Sequence, residues 1–126
     1  MSAAVIRGDD APRFGQDGTE ITGYAAPSRG SAGVAAWRLR LHPGAASPLH
    51  ELTAGEAFLV LSGRGSFEVA GERHEVGAGD AICVPPGARF KLANEHDEPF
   101  EAIACMPAGG KASVDGGDPF VPPWAV

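Results

Sequence analysis

Two residues of the types that transfer protons stand close together in the middle of the chain. His50 is followed six residues later by Glu56, and Glu56 leads directly into an apolar run at residues 57–61. An imidazole and a carboxylate can act as a general acid–base pair or as ligands of a metal ion. Burying both costs several kcal/mol unless they are paired with each other or reached by water. Residues 44–63 are therefore the first candidate for a site.

The composition describes one small domain. The 126 residues are 44% apolar and 21% charged, with a formal net charge of −6. A chain of this length can bury a core without disulfides or metals. A mildly acidic chain does not fit nucleic-acid binding, which needs a basic face. No run approaches the roughly 18 apolar residues of a membrane helix. We predict a single domain over residues 1–126 with no nucleic-acid or membrane partner.

The cysteines and the N-terminus predict a cytoplasmic location. Cys83 and Cys105 each stand in an apolar segment. We interpret both as reduced, buried thiols of a cytosolic protein. The first residues lack the apolar core of a secretory signal.

Short apolar runs bounded by turn residues predict an all-β fold. The 18 glycines and 11 prolines are spread between these runs, and helical apolar periods are almost absent. Such spacing indicates a β-sandwich or barrel. The predicted strands occupy residues 21–26, 34–41, 56–61 (expected to be buried on both faces), 66–69, 74–76, 81–84, 89–93 and 100–106.

The predicted strands divide the chain into three parts. These are an irregular N-terminal arm of residues 1–33, a core barrel of about 34–106 and a C-terminal tail of 107–126. Phe120, Val121 and Trp124 are expected to anchor the tail against the barrel.

Two segments resemble the motifs of the cupin superfamily. The residues at the motif spacings are Gly44, His50, Glu56 and Gly63 in the first motif, and Gly79, Pro85, Gly87 and Asn94 in the second. The chain is most similar to small single-domain bacterial cupins. The resemblance implies a double-stranded β-helix, one of the jelly-roll barrels. It also implies a homodimer formed through an outer sheet face.

Two of the four positions that hold metal ligands in cupins are replaced in this chain. The second histidine of the first motif is Leu52, and the histidine of the second motif is Phe90. Only His50 and Glu56 remain, and two protein ligands seldom hold a divalent metal tightly. We therefore expect no cofactor, with His50 and Glu56 as the ligands if a divalent transition metal does bind.

The remaining histidines and the cysteines are weaker candidates for ligands. His42, His74 and His96 stand in turns and polar loops and are interpreted as solvated surface residues. Cys83 and Cys105 stand on predicted strands and would complete a His-Glu-Cys site if they pointed inward. Nothing in the sequence favours that arrangement.

Strand alternation predicts which side chains share the interior with His50 and Glu56. The predicted pocket residues are Leu52, Phe58, Val60, Phe90, Leu92 and Arg40.

The orientation of Arg38 and Arg40 is left open by alternation alone. An inward pair would bind a substrate carboxylate or phosphate as forked donors. The outward orientation is favoured because Trp37, Leu39 and Leu41 on the opposite face require the core. Lys91, next to Phe90, is expected to point away from the pocket.

Three functions follow from this pattern, and whether the protein is an enzyme stays open. The preferred function is binding of a small organic molecule and its isomerisation, dehydration or cyclisation without a metal, as in metal-free cupins. His50 would then be the general acid or base, with its pKa tuned by Glu56 and the apolar walls. The second is a metal-dependent, dioxygenase-like cupin with atypical ligands. The third is a non-catalytic binding module, in which His50 and Glu56 hydrogen-bond each other as structural residues.

Overall fold

The computed structural model describes residues 2–126, which form two antiparallel sheets that enclose one core. The strands are β1 Arg13–Gln16, β2 Thr19–Ala25, β3 Val34–Leu41, β4 His50–Leu52, β5 Glu56–Ser62, β6 Arg64–Val69, β7 Glu72–Gly77, β8 Ala81–Val84, β9 Phe90–Ala93, β10 Phe100–Pro107 and β11 Ala112–Val114. Short 3-10 turns occupy Pro27–Arg29 and Pro123–Ala125. In this described part of the chain, no helix is long and apolar enough to cross a membrane.

The chain passes repeatedly from one sheet to the other. The six-stranded sheet has the order β1-β2-β3-β10-β5-β8, and the five-stranded sheet has the order β11-β4-β9-β6-β7. From β3 onward, all but one of the steps between successive strands change sheets, the hairpin from β6 to β7 being the exception. This winding produces the double-stranded β-helix of a jelly roll. The predicted all-β jelly-roll fold is confirmed.

The sheets extend beyond the predicted barrel of residues 34–106. β1 and β2, from the predicted N-terminal arm, add to the sheet beside β3, and β11 from the tail adds beside β4. β1, β4 and β11 have three or four residues each. Runs this short show no periodicity of their own, so their pairing depends on the neighbouring strand.

Four phenylalanines fill the space between the two sheets. Phe58 on β5 contacts Phe67 and Phe90 on the opposite sheet, with ring centroids 4.9 and 6.1 Å apart. Phe67 in turn contacts Phe100 at 6.3 Å. All four rings are at most 2% exposed. Edge-to-face contacts of this kind add about 1 kcal/mol each beyond the burial of area, and here they fix the separation of the sheets.

β5 is buried on one face only, so the prediction that residues 56–61 are buried on both faces is wrong. Glu56, Phe58 and Val60 point into the core, whereas Leu59 and Leu61 are 51% and 47% exposed. An antiparallel sheet that packs on one side leaves its other side open. The continuous apolar run therefore supplies both a core face and an apolar outer surface.

The prediction of two buried thiols is also wrong. Cys83 on β8 is exposed and Cys105 on β10 is half-buried. Their neighbours Val84 and Ala104 take the buried positions, so both cysteines point outward by strand alternation. Neither cysteine can join a His-Glu-Cys site in the interior.

The tail is anchored mainly through Trp124. Its ring packs on Phe14 and Trp37, with centroids 6.1 and 6.2 Å apart. Val121 is half-buried against the same core. Phe120, by contrast, is 44% exposed and is held by its backbone through an isolated bridge. The predicted anchoring role of the Phe120 side chain is therefore not supported.

Gly63 ends β5 in a backbone conformation that requires glycine. Its φ is +75°, and a Cβ there would overlap the carbonyl oxygen of Pro99. Gly71, at the tip of the β6–β7 hairpin, has a similar φ of +82° but open space around the Cβ position. We predict that Gly63→Ala lowers the free energy of unfolding by about 3 kcal/mol or more, since strain and overlap add. Gly71→Ala should lose only about 1 kcal/mol, from strain alone.

Urea denaturation of both variants measures the difference. Equal losses would mean that the approach of Gly63 to Pro99 does not constrain the fold.

Candidate functional site

His50 and Glu56 reach the core from opposite sheets. His50 is the first residue of β4 in the five-stranded sheet, and Glu56 is the first residue of β5 in the six-stranded sheet. The connecting loop is fixed by Thr53, whose N–H donates to the Lys111 carbonyl and whose Oγ1 accepts from the Lys111 N–H, each at 2.9 Å. This short, anchored crossing keeps the two side chains at the same end of the barrel.

Two contacts orient the ring of His50. Its Nδ1 lies 2.8 Å from the carbonyl oxygen of Pro48, and its face packs on Phe90 with ring centroids 4.2 Å apart. A carbonyl oxygen can only accept, so Nδ1 carries the hydrogen and Nε2 keeps a free lone pair in the neutral ring. Burial lowers the pKa of His50 below its ordinary value of 6.5, against the smaller opposite effect of the Pro48 hydrogen bond. At pH 7, His50 is a neutral base with Nε2 available.

The segment that carries the Pro48 carbonyl is held against β9 by Ser47. The Ser47 N–H donates to the carbonyl of Leu92 at 2.8 Å, and the Leu92 N–H donates back to Ser47 Oγ at 3.0 Å. These bonds fix the position of the acceptor for His50. This support could not be predicted from the sequence. Every residue has a main-chain carbonyl, and residue types do not show which carbonyl will accept the hydrogen bond.

Glu56 is a buried carboxyl group without a partner. It is 6% exposed, and it shares its face of β5 with Phe58. Within residues 2–126 its side chain makes no hydrogen bond, and desolvation by burial is the only cause that shifts its pKa. Burial raises the pKa of Glu56 to about 8. The carboxyl is therefore protonated at pH 7 and can donate a hydrogen bond.

Burial reverses the usual order of the two pKa values, since that of Glu56 rises to about 8 and that of His50 falls below 6.5. Near pH 7 the carboxyl keeps its proton and the imidazole does not, because burial disfavours the charged form of each. Two titratable groups whose pKa values are shifted in this way are candidates for the acid and the base of a proton-transfer site. Among residues 2–126 no hydrogen bond joins His50 and Glu56, so the structure does not show the alternative in which they bond each other.

The apolar residues predicted around the pair all lie in the core. They are Leu52, Phe58, Val60, Phe90 and Leu92, each less than a tenth exposed. Phe90 links the set to the pair, because it contacts both the His50 ring and Phe58. These side chains make the surroundings of Glu56 apolar.

Arg40 lies outside the barrel, so its prediction as a pocket residue is wrong. Arg38 and Arg40 stand on the outer face of β3 and donate to Glu101 at 2.9 and 3.4 Å. Leu39, which lies between them in the sequence, points into the core. The outward orientation of the two arginines, favoured from the sequence, is therefore what the structure has. Lys91 is exposed on the outer face of β9, in agreement with its prediction.

The other three histidines lie at the surface. His42 and His74 are exposed, and His96 is half-buried. His42 pairs with Glu20 at 2.5 Å, and His96 lies 3.4 Å from Glu75. None of them reaches the interior beside His50.

The donor set at the barrel end does not fit a transition metal. Leu52 and Phe90 offer carbon where a cupin metal centre needs imidazole nitrogen. In residues 2–126, no group of three or more His, Cys, Asp or Glu side chains is arranged to hold a metal. Only His50 and Glu56 remain as donors, and two protein ligands seldom hold a divalent metal tightly. The residues present therefore do not form the ligand set of a cupin metal centre.

Two prominent clefts lie elsewhere on the molecule. One, of about 410 Å³, lies on the outer face of the five-stranded sheet beside Ser66, Glu68 and Lys91. The other, of about 340 Å³, lies beside Gly63 and His96. Neither is lined by His50 or Glu56. His50 is half-buried and Glu56 is buried, so His50 is the more exposed of the two.

Comparison with known families identifies the class of protein. A model of the cupin domain matches residues 37–106, which is more than half of the chain. The protein therefore belongs to the cupin family, and the resemblance of its motifs is confirmed. An uncharacterized protein of Methanocaldococcus jannaschii is 33% identical over 63 residues, and the match covers 49% of this chain and 50% of that protein. The chain thus aligns with about half the length of this curated relative.

Solved structures of low sequence identity share the fold. The polyketide cyclase RemF from Streptomyces resistomycificus has a TM-score of 0.77 at 16% identity, covering 97% of this chain and 89% of the cyclase. An RmlC-like cupin from Shewanella frigidimarina has a TM-score of 0.73 at 17% identity, covering 84% and 91%. Salicylate 1,2-dioxygenase from Pseudoaminobacter salicylatoxidans, in an adduct with gentisate, has a TM-score of 0.73 at 20% identity. That match covers 83% of this chain and 31% of the dioxygenase.

The raised pKa of Glu56 makes folding stability depend on pH. The unfolded chain loses this proton near pH 4.5, whereas the folded chain keeps it up to about pH 8. Between these values the unfolded state binds fewer protons, so stability is lost as the pH rises, by about 1.4 kcal/mol per pH unit. We predict that the free energy of unfolding of the wild type falls relative to that of Glu56→Gln across this window.

The lowered pKa of His50 acts in the opposite direction, since it removes stability as the pH falls below 6.5. This contribution of His50 is the same in the wild type and in Glu56→Gln, so it cancels when their free energies of unfolding are subtracted. Glu68→Gln, on the outer face of β6, is the control and should follow the wild-type pH dependence. Parallel curves for the wild type and Glu56→Gln would show that Glu56 is not protonated in the folded protein.

Proposed function

We propose that the protein binds a small, uncharged carbonyl compound at the His50 end of the barrel and moves a proton on it without a metal. The reaction class is isomerisation, dehydration or cyclisation. The observation that carries this proposal is the buried, partnerless Glu56 carboxyl with its pKa of about 8, at the same barrel end as a neutral His50.

The proposed reaction uses both groups in one step. Nε2 of His50 accepts the proton from the carbon next to the carbonyl, and the Glu56 carboxyl donates a hydrogen bond to the carbonyl oxygen as that oxygen gains charge. The product of this step is an enol or enolate beside a charged His50. Return of the proton to a different carbon isomerises the compound. Loss of a neighbouring hydroxyl as water dehydrates it, and attack of the enol carbon on a second carbonyl closes a ring.

The surroundings of His50 favour an apolar ligand. Phe90 is fully buried and packs on the His50 ring, so it makes the side of the site behind His50 apolar. Arg40, the cation predicted for the pocket, is bound to Glu101 on the outside, so it does not serve a substrate carboxylate. Because the interior is filled by phenylalanines, we infer that only the carbonyl end of the ligand enters.

The structural relatives support the same reaction class. The match with the polyketide cyclase RemF covers almost all of both chains, whereas the match with the salicylate dioxygenase covers less than a third of that enzyme. The donor set at His50 and Glu56 gives the dioxygenase-like alternative no support. The non-catalytic binding module is the result expected if a ligand binds without reaction.

The proposal includes a homodimer and a cytoplasmic location, both predicted from the sequence. The acid–base chemistry needs neither of them, because His50 and Glu56 belong to the same chain.

Proton transfer can be measured before the natural substrate is known. In D2O, the protein should exchange the hydrogen next to the carbonyl in some members of a panel of aryl ketones and β-diketones, observed as loss of the proton NMR signal. His50→Gln should slow this exchange by about 100-fold or more, the usual contribution of a general base. The wild-type rate should rise as the pH passes the lowered pKa of His50 and fall above about pH 8, where Glu56 ionises.

Matched variants separate the alternatives. Glu56→Gln keeps a neutral donor, so it should retain part of the exchange but lose the decline above about pH 8. His74→Gln, on the surface, should match the wild type, and a chelator should change nothing. Equal exchange in the wild type and His50→Gln would refute the role of His50, as would exchange that a chelator abolishes and added metal restores.

A further inference from the structure

The hydroxyl group of Ser47 connects the hydrogen-bond acceptor of the His50 ring to the neighbouring strand. Ser47 Oγ donates to the carbonyl oxygen of Pro48 at 3.0 Å, and it accepts from the Leu92 N–H at 3.0 Å. The same Pro48 oxygen lies 2.8 Å from Nδ1 of His50. A continuous chain of hydrogen bonds therefore runs from the main chain of β9 through Ser47 to the imidazole of His50.

The Pro48 carbonyl is held by two donors at once. A carbonyl oxygen has two lone pairs, and this one accepts from the Ser47 hydroxyl and from Nδ1 of His50. A rotation of the carbonyl away from His50 therefore breaks the bond from Ser47 as well. Ser47 thus resists movement of the acceptor that orients the imidazole.

The local sequence removes most of the other freedom of this carbonyl. The ring of Pro48 fixes its own φ near −65°, and the residue before a proline is restricted to extended backbone. The Ser47 N–H donates to the Leu92 carbonyl at 2.8 Å, which holds this extended segment against β9. The angle that remains to turn the carbonyl is ψ of Pro48, and the bond from the Ser47 hydroxyl restricts it.

The direction of the Pro48 carbonyl decides which nitrogen of His50 can act as a base. In a neutral imidazole one nitrogen carries the hydrogen and the other a lone pair, and the hydrogen bond made by one nitrogen fixes this choice. A hydrogen on Nε2 would leave the lone pair of Nδ1 facing the lone pair of the carbonyl oxygen. The fixed carbonyl therefore keeps the hydrogen on Nδ1 and leaves Nε2 free.

We propose that Ser47 is a positioning residue, which acts through the Pro48 carbonyl to hold His50 in the tautomer whose Nε2 accepts the substrate proton. This inference rests on the proposed function, in which His50 is the base. In this role Ser47 needs no contact with the substrate. Its loss should therefore slow the proton transfer and leave substrate binding nearly unchanged.

The tautomer of His50 can be observed by 15N NMR without a substrate. In the wild type at a pH where the ring is neutral, Nδ1 should carry the hydrogen. Ser47→Ala should give a mixture of the two tautomers, because the Pro48 carbonyl is then free to turn. Ser47→Thr keeps the hydroxyl and should restore the wild-type spectrum.

Ser31→Ala is the matched control for the loss of a serine hydroxyl. Ser31 is half-buried like Ser47, and its Oγ donates to the main-chain carbonyl of Val34 at 2.6 Å. It lies in the loop before β3, so its removal should leave the tautomer of His50 as in the wild type. A mixture of tautomers in Ser31→Ala as well would show a general loss of order and overturn the specific role of Ser47.

Hydrogen exchange into the ketones that the protein accepts tests the effect on the reaction. Ser47→Ala should lower kcat by about 10-fold, a part of what a general base contributes. Its KM should change by less than about 2-fold, since ground-state binding is untouched. Ser47→Thr should recover most of the rate, and Ser31→Ala should match the wild type. A rise in KM with kcat unchanged would contradict a positioning role.

Two further results keep this inference separate from the proposed reaction. In the wild type itself, a scalar coupling across the hydrogen bond should join Nδ1 of His50 to the carbonyl carbon of Pro48, and its absence would overturn the proposal without any variant. If His50→Gln exchanges as fast as the wild type, the proposed function fails, but the NMR comparison still decides whether Ser47 orients His50. A Ser47→Ala protein that keeps the hydrogen on Nδ1 would refute the role of Ser47.

Discussion

The burial of a carboxyl group without a partner is the constraint on which the proposed chemistry of this barrel depends. An ionised Glu56 would cost far too much in an apolar interior, and protonation is the way in which such a group avoids that cost. The phenylalanines that hold the two sheets together also form the apolar core that Glu56 enters. The packing that stabilises the fold therefore also contributes to the desolvation that raises the pKa of Glu56.

Phe90 connects this packing to His50, one member of the candidate acid–base pair. It stands where other cupins carry a metal-binding histidine, and here its ring contacts both His50 and Phe58. Replacing a ligand by a ring removes a donor and lowers the local polarity at the same time. With Leu52 at the other altered position, the barrel retains an imidazole and a carboxyl, and both are driven toward their neutral forms. Such a pair is suited to the proton transfer proposed above.

Sequence reasoning predicted the parts of this structure that local physics determines. The alternation of residues 34–41 predicted the core face of that strand. The motif position of Asn94 also has a structural reason, because its side chain donates hydrogen bonds to the carbonyls of Leu41 and Glu98. The apolar run of β5 was misinterpreted because hydrophobicity does not distinguish a core from an uncovered outer face. The short strands β1 and β11, and the Pro48 carbonyl that orients His50, depend on contacts distant in sequence.

The central claim concerns the protonation of two side chains, and NMR observes it directly. In protein labelled with 13C and 15N, the side-chain carboxyl carbon of Glu56 should titrate at about pH 8, and His50 should titrate below 6.5 with its hydrogen on Nδ1. The Glu56 titration should persist in His50→Gln, because burial and not the charge of His50 is its cause. A Glu56 carboxyl that titrates near pH 4.5, or a neutral His50 with its hydrogen on Nε2, would contradict the assignment of acid and base.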